Sequence, residues 1–224
     1  MYQRRCMGFS FTPICYNKAM EKPVLFLDFD RTLFDTTQLR AWLGADIESR
    51  INAVVLGTLE LPRLASMLYP DTLPFLVQAR KTHRLVLLTC TSTRIFQEKK
   101  VYSSGIAPHL DDILITESKE GNSGKGLAAK EYLYGEGGAG SGHFFVDDLL
   151  ENISEVKTEN PPVTCIQIER ASPVPNGTFG RVLPREDSLF TPGLLPPDGK
   201  VTNLEELFML LQRLSPPRDP MRYR

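Results

Sequence analysis

The sequence predicts an α/β chain, a Rossmann-like parallel sheet flanked by helices, with a small helical insertion after the first strand. Three observations predict it. Short apolar runs of strand length recur along the chain, and helical patterns alternate with them. The runs also end in carboxylates or a hydroxyl, at the strand ends where such a sheet gathers its functional groups.

The first run is Val24–Phe29. Apart from Asp28 it is apolar throughout rather than alternating, which suits a strand buried on both faces. Residues 36–70 interrupt the alternation with helical apolar spacing (Leu39, Trp42, Leu43; Val54, Val55, Leu59) and no obvious strand. A helix over about 73–82 leads to the second run, Leu85–Thr89. Helices over about 92–104, 124–134 and 149–158 then alternate with the runs Ile113–Ile115, His143–Val146 and Val163–Ile168. Right-handed crossovers should connect these strands. Residues 171–200 are rich in proline and glycine and read as a long irregular segment inside the core. Thr202 or Asn203 can cap a last helix, LEELFMLLQRL, and the tail at 215–224 should fray. The core therefore comprises 21–35 and 71–214, with 36–70 inserted. Residues 1–20 form an extension that is dispensable if translation starts at Met20.

Composition narrows the function classes. Twenty-six Lys and Arg against 27 Asp and Glu leave the 224-residue chain almost neutral. No basic excess points to nucleic acid, and no polybasic patch points to a membrane surface. No apolar run approaches the ~18 residues that span a bilayer. The N-terminal apolar stretch is broken by Ser10, Thr12 and Pro13, which does not fit a signal peptide. The four cysteines (Cys6, Cys15, Cys90, Cys165) are sparse and irregularly spaced, as expected of a reducing, cytoplasmic setting.

The chemistry lies at the run ends. In VLFLDFDRTLFD, strand alternation places Asp28 and Asp30 on one side and Phe29 on the other. Two carboxylates there repel each other and lose hydration, and a divalent cation would compensate both. The second run ends at Thr89, whose hydroxyl can hold a phosphoryl oxygen or simply terminate the strand. Lys125 falls in the first turn of a helix, where a cation opposes the helix dipole. It makes sense if an anion is held there by the helix start and the ammonium together. Lys119, closer to the preceding strand, is the competing candidate. The fourth run ends in Asp147 and Asp148, and Asp148 can also cap the following helix.

Two glycine-rich strings are set aside. GNSGKG lacks a P-loop's first glycine, having Lys119 there, and has Gly126 where Ser or Thr is required. GEGGAGSG at 135–142 precedes a strand, the wrong end for a ligand cradle, and reads as a connector.

The ordered series Asp28-x-Asp30-x-Thr32, Thr89, Lys125 and Asp147-Asp148, with Asn152 beyond, resembles the haloacid dehalogenase-like (HAD) superfamily of hydrolases over about residues 23–170. The resemblance implies a HAD-like core with 36–70 as a small helical cap. It implies a phosphatase in which Asp28 is the nucleophile and Asp30 the general acid/base, with Thr89 and Lys125 binding the phosphoryl group. Mg²⁺ would be held by Asp28, Asp30 (through its carbonyl), Asp148 and Asp147. Dehalogenases of the family lack a carboxylic acid at the position of Asp30, since a halide leaves without a proton. A phosphomutase needs the same residues, and a silent HAD-like binding protein is the other alternative. A receiver domain uses similar groups but in a different order along the chain. The partner implied is a small phosphorylated substrate. Arg31 replaces the usual glycine, and Arg31, Trp42, Ser92 and Arg94 are candidates to line the entrance.

Overall fold

The computed structural model describes residues 22–118, 122–135, 142–170 and 193–214. The N-terminal extension with Cys6 and Cys15, Lys119, nearly all of the GEGGAGSG connector, residues 171–192 and the tail lie outside the described residues.

Six strands form one sheet: β1 (Val24–Leu27), β2 (Arg84–Thr91), β3 (Asp112–Glu117), β4 (Phe144–Asp147), β5 (Thr164–Ile168) and β6 (Gly199–Val201). Their order is β3-β2-β1-β4-β5-β6, and every pairing is parallel. The helices are α1 (Thr36–Leu43), α2 (Ile47–Val55), α3 (Thr72–Ala79), α4 (Arg94–Ser104), α5 (Lys125–Gly135), α6 (Leu150–Glu159) and α7 (Leu204–Leu214). The α/β reading holds. β1 is central and its neighbours β2 and β4 lead the chain to opposite edges, which opens a crevice at the carboxyl ends of β1 and β4.

The apolar runs are continuous because both faces of the sheet are covered. Leu25 and Leu27 of β1 join Leu85 and Leu87 of β2 in a core with residues of α3, α4 and α7. Val24 and Phe26 join Val86 and Leu88 in a second core with Ala129 and Leu133 of α5 and Ile153 and Val156 of α6. The alternation of strand side chains thus assigns α4 and α5 to opposite faces.

The insertion after β1 is helical, as expected. Asp35 caps α1 by accepting from Thr37 N at 3.0 Å, and Asp46 caps α2 by accepting from Ser49 N at 3.4 Å. Leu39, Leu43 and Val54 bury into the same core as β1 rather than building a separate one. A bridge between Phe34 and Leu68, and the bonds from Asp35 N to Met67 O and from Tyr69 N to Leu33 O, close its base.

Sequence expectation and structure part at two strands. β1 ends at Leu27, two residues short of the apolar run, so Asp28–Asp30 leave the regular pleat. β6 arises from the end of the proline-rich segment, where an irregular course was expected. Three residues, one of them a lysine, are too short a signal to read as a strand.

Candidate active site

The site is assembled by strand register. Leu27 pairs with Val146, and Asp28 N donates to Val146 O at 2.9 Å, so Asp28 and Asp147 leave neighbouring strands at one level. Both are buried, at 5% and 0% exposure. Asp148 follows, and one oxygen from each of Asp28, Asp147 and Asp148 lies within 4.8 Å of the others. Lys125, at the first residue of α5 and 1% exposed, reaches in from the second core's face. Its Nζ lies 2.6 Å from Asp28 Oδ1 and 2.7 Å from Asp147 Oδ2.

Three carboxylates around one ammonium do not balance. Burial pushes Asp28 well above the usual carboxylate range; the Lys125 ammonium pulls it back in part, while Asp147, Asp148 and Asp30 push it up further. Burial, then Asp147, raises Asp148 to about 7 against the opposing pull of Arg31 and Lys125. Burial disfavours the Lys125 ammonium, but Asp147 and Asp28 outweigh it and raise its pKa, so the lysine stays charged. Asp148 Oδ2 is buried and accepts no well-aligned hydrogen bond, although Arg31 Nη1 stands 3.2 Å away, and the Thr32 hydroxyl is buried and unpartnered. Clustered, under-compensated carboxylate oxygens suit a hard, oxygen-seeking dication. Asp28, Asp147 and Asp148 are the residues that fit one.

Asp147 is fixed by its surroundings. Its Oδ1 accepts from Leu149 N at 2.8 Å, and Asn152 Nδ2 donates to both oxygens at 3.1 and 3.0 Å. Leu149 stands at the cap position of α6 with no side-chain cap, so Asp148 does not cap this helix as the sequence allowed. Asp148 is left facing the cluster.

Asp30 departs from expectation. Its carboxylate accepts from Lys100 Nζ at 2.6 and 2.9 Å, from Gln97 Nε2 at 2.9 Å and from Thr36 Oγ1 at 2.8 Å. Asp28 takes its lysine from α5 and Asp30 takes its own from α4, on opposite sheet faces. The two carboxylates thus have different counter-ions, while the Asp30 charge still acts on Asp28 and Asp148. Burial opposes ionisation of Asp30, but the Lys100 charge and the three sets of hydrogen bonds hold it below the usual carboxylate range. Its side chain is outside the three-carboxylate group, so any part in metal binding falls to its backbone.

Thr89 is buried on β2, and its hydroxyl accepts from the same Gln97 amide at 2.9 Å. Gln97 thereby links Thr89 to Asp30. Sequence reading missed Gln97 and Lys100. The available signal was a lysine on the buried face of α4: Lys100 is 4% exposed, and its Nζ lies 5.4, 5.7 and 5.8 Å from the rings of Phe29, Phe34 and Phe96.

The start of α5 also differs. The amides of Ser123 and Gly126 donate to Glu155 of α6 at 3.2 and 2.7 Å, and Lys125 N donates to Ser123 Oγ at 3.3 Å. The anion at this helix start is the chain's own Glu155. The Lys125 ammonium serves the acidic cluster separately, so helix start and ammonium do not share one anion. Gly126 allows the approach of α6, since a Cβ there would stand 2.9 Å from Glu155 O.

Arg31 has φ 63°, the single non-glycine positive φ among the described residues. That backbone disfavours L residues by about 1–2 kcal/mol. Its Nη1 lies 3.2 Å from Asp148 Oδ2, and the side chain is 59% exposed. Two of the other entrance candidates are engaged elsewhere. Trp42 lies under Arg50 at 4.6 Å, and Arg94 pairs with Glu98 at 2.9 Å.

No family model matches the sequence, and no curated protein matches it. Solved structures do. A haloacid dehalogenase-like protein of Burkholderia xenovorans LB400 superposes with a TM-score of 0.59 at 20% identity, covering 87% of this chain and 98% of that one. An L-2-haloacid dehalogenase from Xanthobacter autotrophicus gives 0.54 at 20% identity, over 88% and 100%. A HAD phosphatase from Thermococcus onnurineus gives 0.50 at 20% identity, over 85% and 97%. At these identities the likeness is one of architecture, and this chain has the haloacid dehalogenase-like fold.

Proposed function

We propose that the chain is a Mg²⁺-dependent phosphatase that hydrolyses a small phosphoric monoester through an aspartyl-phosphate on Asp28. The observation that carries this reading is the cluster of Asp28, Asp147 and Asp148 around the Lys125 ammonium at the carboxyl ends of β1 and β4. A bound Mg²⁺ would offset the repulsion between a carboxylate and an anionic phosphate and stabilise charge in the transition state.

The chain's residues supply the remaining chemistry. An Asp28 carboxylate oxygen attacks phosphorus while the ester P–O bond breaks, and the leaving oxygen takes a proton from Asp30. Water then attacks the phosphorus of the acyl phosphate and gives a proton to Asp30. The bond to Asp28 breaks, which restores the carboxylate and releases phosphate. Lys125 neutralises the transferring oxygens, and Thr89 offers a hydroxyl to them. Lys100 holds Asp30 ionised, so Asp30 must exchange these contacts and gain a proton before it acts as acid. Asp30 also favours phosphate esters over organohalides, since an alkoxide needs a proton and a halide does not.

A second reading, a catalytically silent HAD-like binding protein, draws support from the same Asp30, whose oxygens are fully engaged by Lys100, Gln97 and Thr36. A screen of sugar phosphates, nucleotides and phosphoamino acids with and without Mg²⁺ separates the two. Mg²⁺-dependent phosphate release, abolished in a folded Asp28→Asn variant and slowed in Asp30→Asn, is the expected result. Unchanged turnover in Asp28→Asn would sink the mechanism. Magnesium binding without turnover of any ester would favour the silent protein.

A further inference from the structure

We propose that Arg31 recognises a second anionic group on the substrate, beyond the phosphate that is transferred. The inference rests on the phosphatase reading and deepens it.

Three carboxylates, the buried Asp28 and Asp147 and the part-buried Asp148, surround one ammonium, Lys125, and leave two negative charges. A dication cancels them. Asp30 and Lys100 cancel each other through two contacts, and Arg170 is matched by Asp71 at 2.6 Å. Arg31 is the remaining cation of this set. Its partner in the structure is Asp148 Oδ2 at 3.2 Å, an oxygen that belongs to the carboxylate group fit to hold the dication. Once that carboxylate is committed to a cation, the guanidinium has no counter-charge of its own in the set.

Position indicates which anion it would take. The groups that would hold the transferred phosphoryl are buried: Lys125 is 1% exposed and Thr89 is 1% exposed. The Arg31 side chain is 59% exposed and touches the cluster only at Asp148, its outer member. It therefore stands toward solvent from the buried groups, at the open side of the cluster. A guanidinium there offers a planar fork of donors suited to a carboxylate or a second phosphate.

The backbone supports a functional reason for arginine. At φ 63° a glycine would sit without strain, yet this position carries a bulky charged residue. Its side chain is 59% exposed, and its charged contact is to Asp148. Strain held at a site's mouth is a reasonable sign of function.

The test uses binding, so it does not depend on turnover. The full-length protein with Mg²⁺ is titrated calorimetrically with non-hydrolysable phosphonates: 3-phosphonopropionate and 4-phosphonobutyrate against propylphosphonate and butylphosphonate. The wild type should bind at least one carboxylated ligand about tenfold more tightly than its uncharged match, as a charge-assisted contact would give. Arg31→Gly, which relieves the backbone, should reduce that preference to about threefold or less, and Arg31→Lys should keep part of it. The preference should shrink with added salt, because the guanidinium is exposed. No preference in the wild type, or a preference that survives in Arg31→Gly, overturns the proposal. Equal weakening of all four ligands in Arg31→Gly also overturns it, because Arg31 would then serve the transferred phosphoryl itself. Failure of every phosphonate and of orthophosphate to bind would instead bring down the phosphoryl-site reading, and this inference with it.

Discussion

Replacement of Lys125 by methionine tests the electrostatic core of the site. Methionine keeps much of the side chain's length and removes the charge. Lys125 Nζ stands 2.6 Å from Asp28 and 2.7 Å from Asp147, and both carboxylates are buried. Asp147 keeps the Leu149 amide and Asn152, so the loss falls mainly on Asp28. Removing one partner of a buried ion pair costs about 3–5 kcal/mol. For a chain of this size each kcal/mol moves Tm by about 2–4 °C, so a fall of roughly 10 °C is expected. The pH dependence has a definite sign. Asp28 and Asp148 have folded pKa values above their unfolded ones, so their contribution to stability is fully present below the unfolded value and is lost as pH rises through the folded value. Without Lys125 this loss deepens, and the variant's deficit should be larger at about pH 8 than at about pH 5. Mg²⁺ should restore part of it at the higher pH. Urea denaturation of both proteins, at both pH values and with or without Mg²⁺, measures each term. A deficit below about 1 kcal/mol, or one indifferent to pH and Mg²⁺, would refute the reasoning that Lys125 compensates buried charge.

Three further outcomes are expected. Asp148 titrates at about 7 without metal, so Mg²⁺ must displace its proton at lower pH. Affinity should then weaken at least about tenfold per pH unit below that value, since Asp28 is raised as well, with proton release visible by calorimetry in buffers of different ionisation enthalpy; no proton release near pH 6 would contradict it. Gly126→Ala should lose about 1–3 kcal/mol in urea denaturation, because its Cβ would meet Glu155 O at 2.9 Å and Glu159 Cγ at 3.0 Å; a neutral change would mean that α5 and α6 separate freely. Lys100→Met removes the charge that keeps Asp30 ionised and should move the pH dependence of kcat upward, because Asp30 then gains its proton more readily, with little change in KM. A change confined to KM would place Lys100 in substrate binding instead.

Much of the architecture was legible because burial on both sheet faces leaves a direct mark. Apolar runs in the β1, β2, β4 and β5 regions and helical spacing between them predicted the order of elements. The residues that form the acidic cluster were legible for a related reason: Asp28, Asp147 and Asp148 follow buried apolar strands, where carboxylates are costly unless compensated. β6 was hidden because three residues carry no usable periodicity. Gln97 and Lys100 were hidden because a helix places them opposite Asp30 across nearly seventy residues of chain, and no local pattern records that pairing.

The sequence by itself determined the parallel α/β plan, the residues at the strand ends and the oddity of Arg31 within its motif. Only the tertiary structure decided how those charges are shared. Lys125 was offered by sequence as a partner for an external anion, whereas folding places its ammonium between Asp28 and Asp147 and gives its helix start to Glu155. Asp30 was offered as the companion of Asp28, whereas the packing of α4 gives it Lys100 as counter-ion. The physical reason is that local sequence sets which groups reach the site. Which groups neutralise one another depends on distances and burial that exist only after remote elements pack.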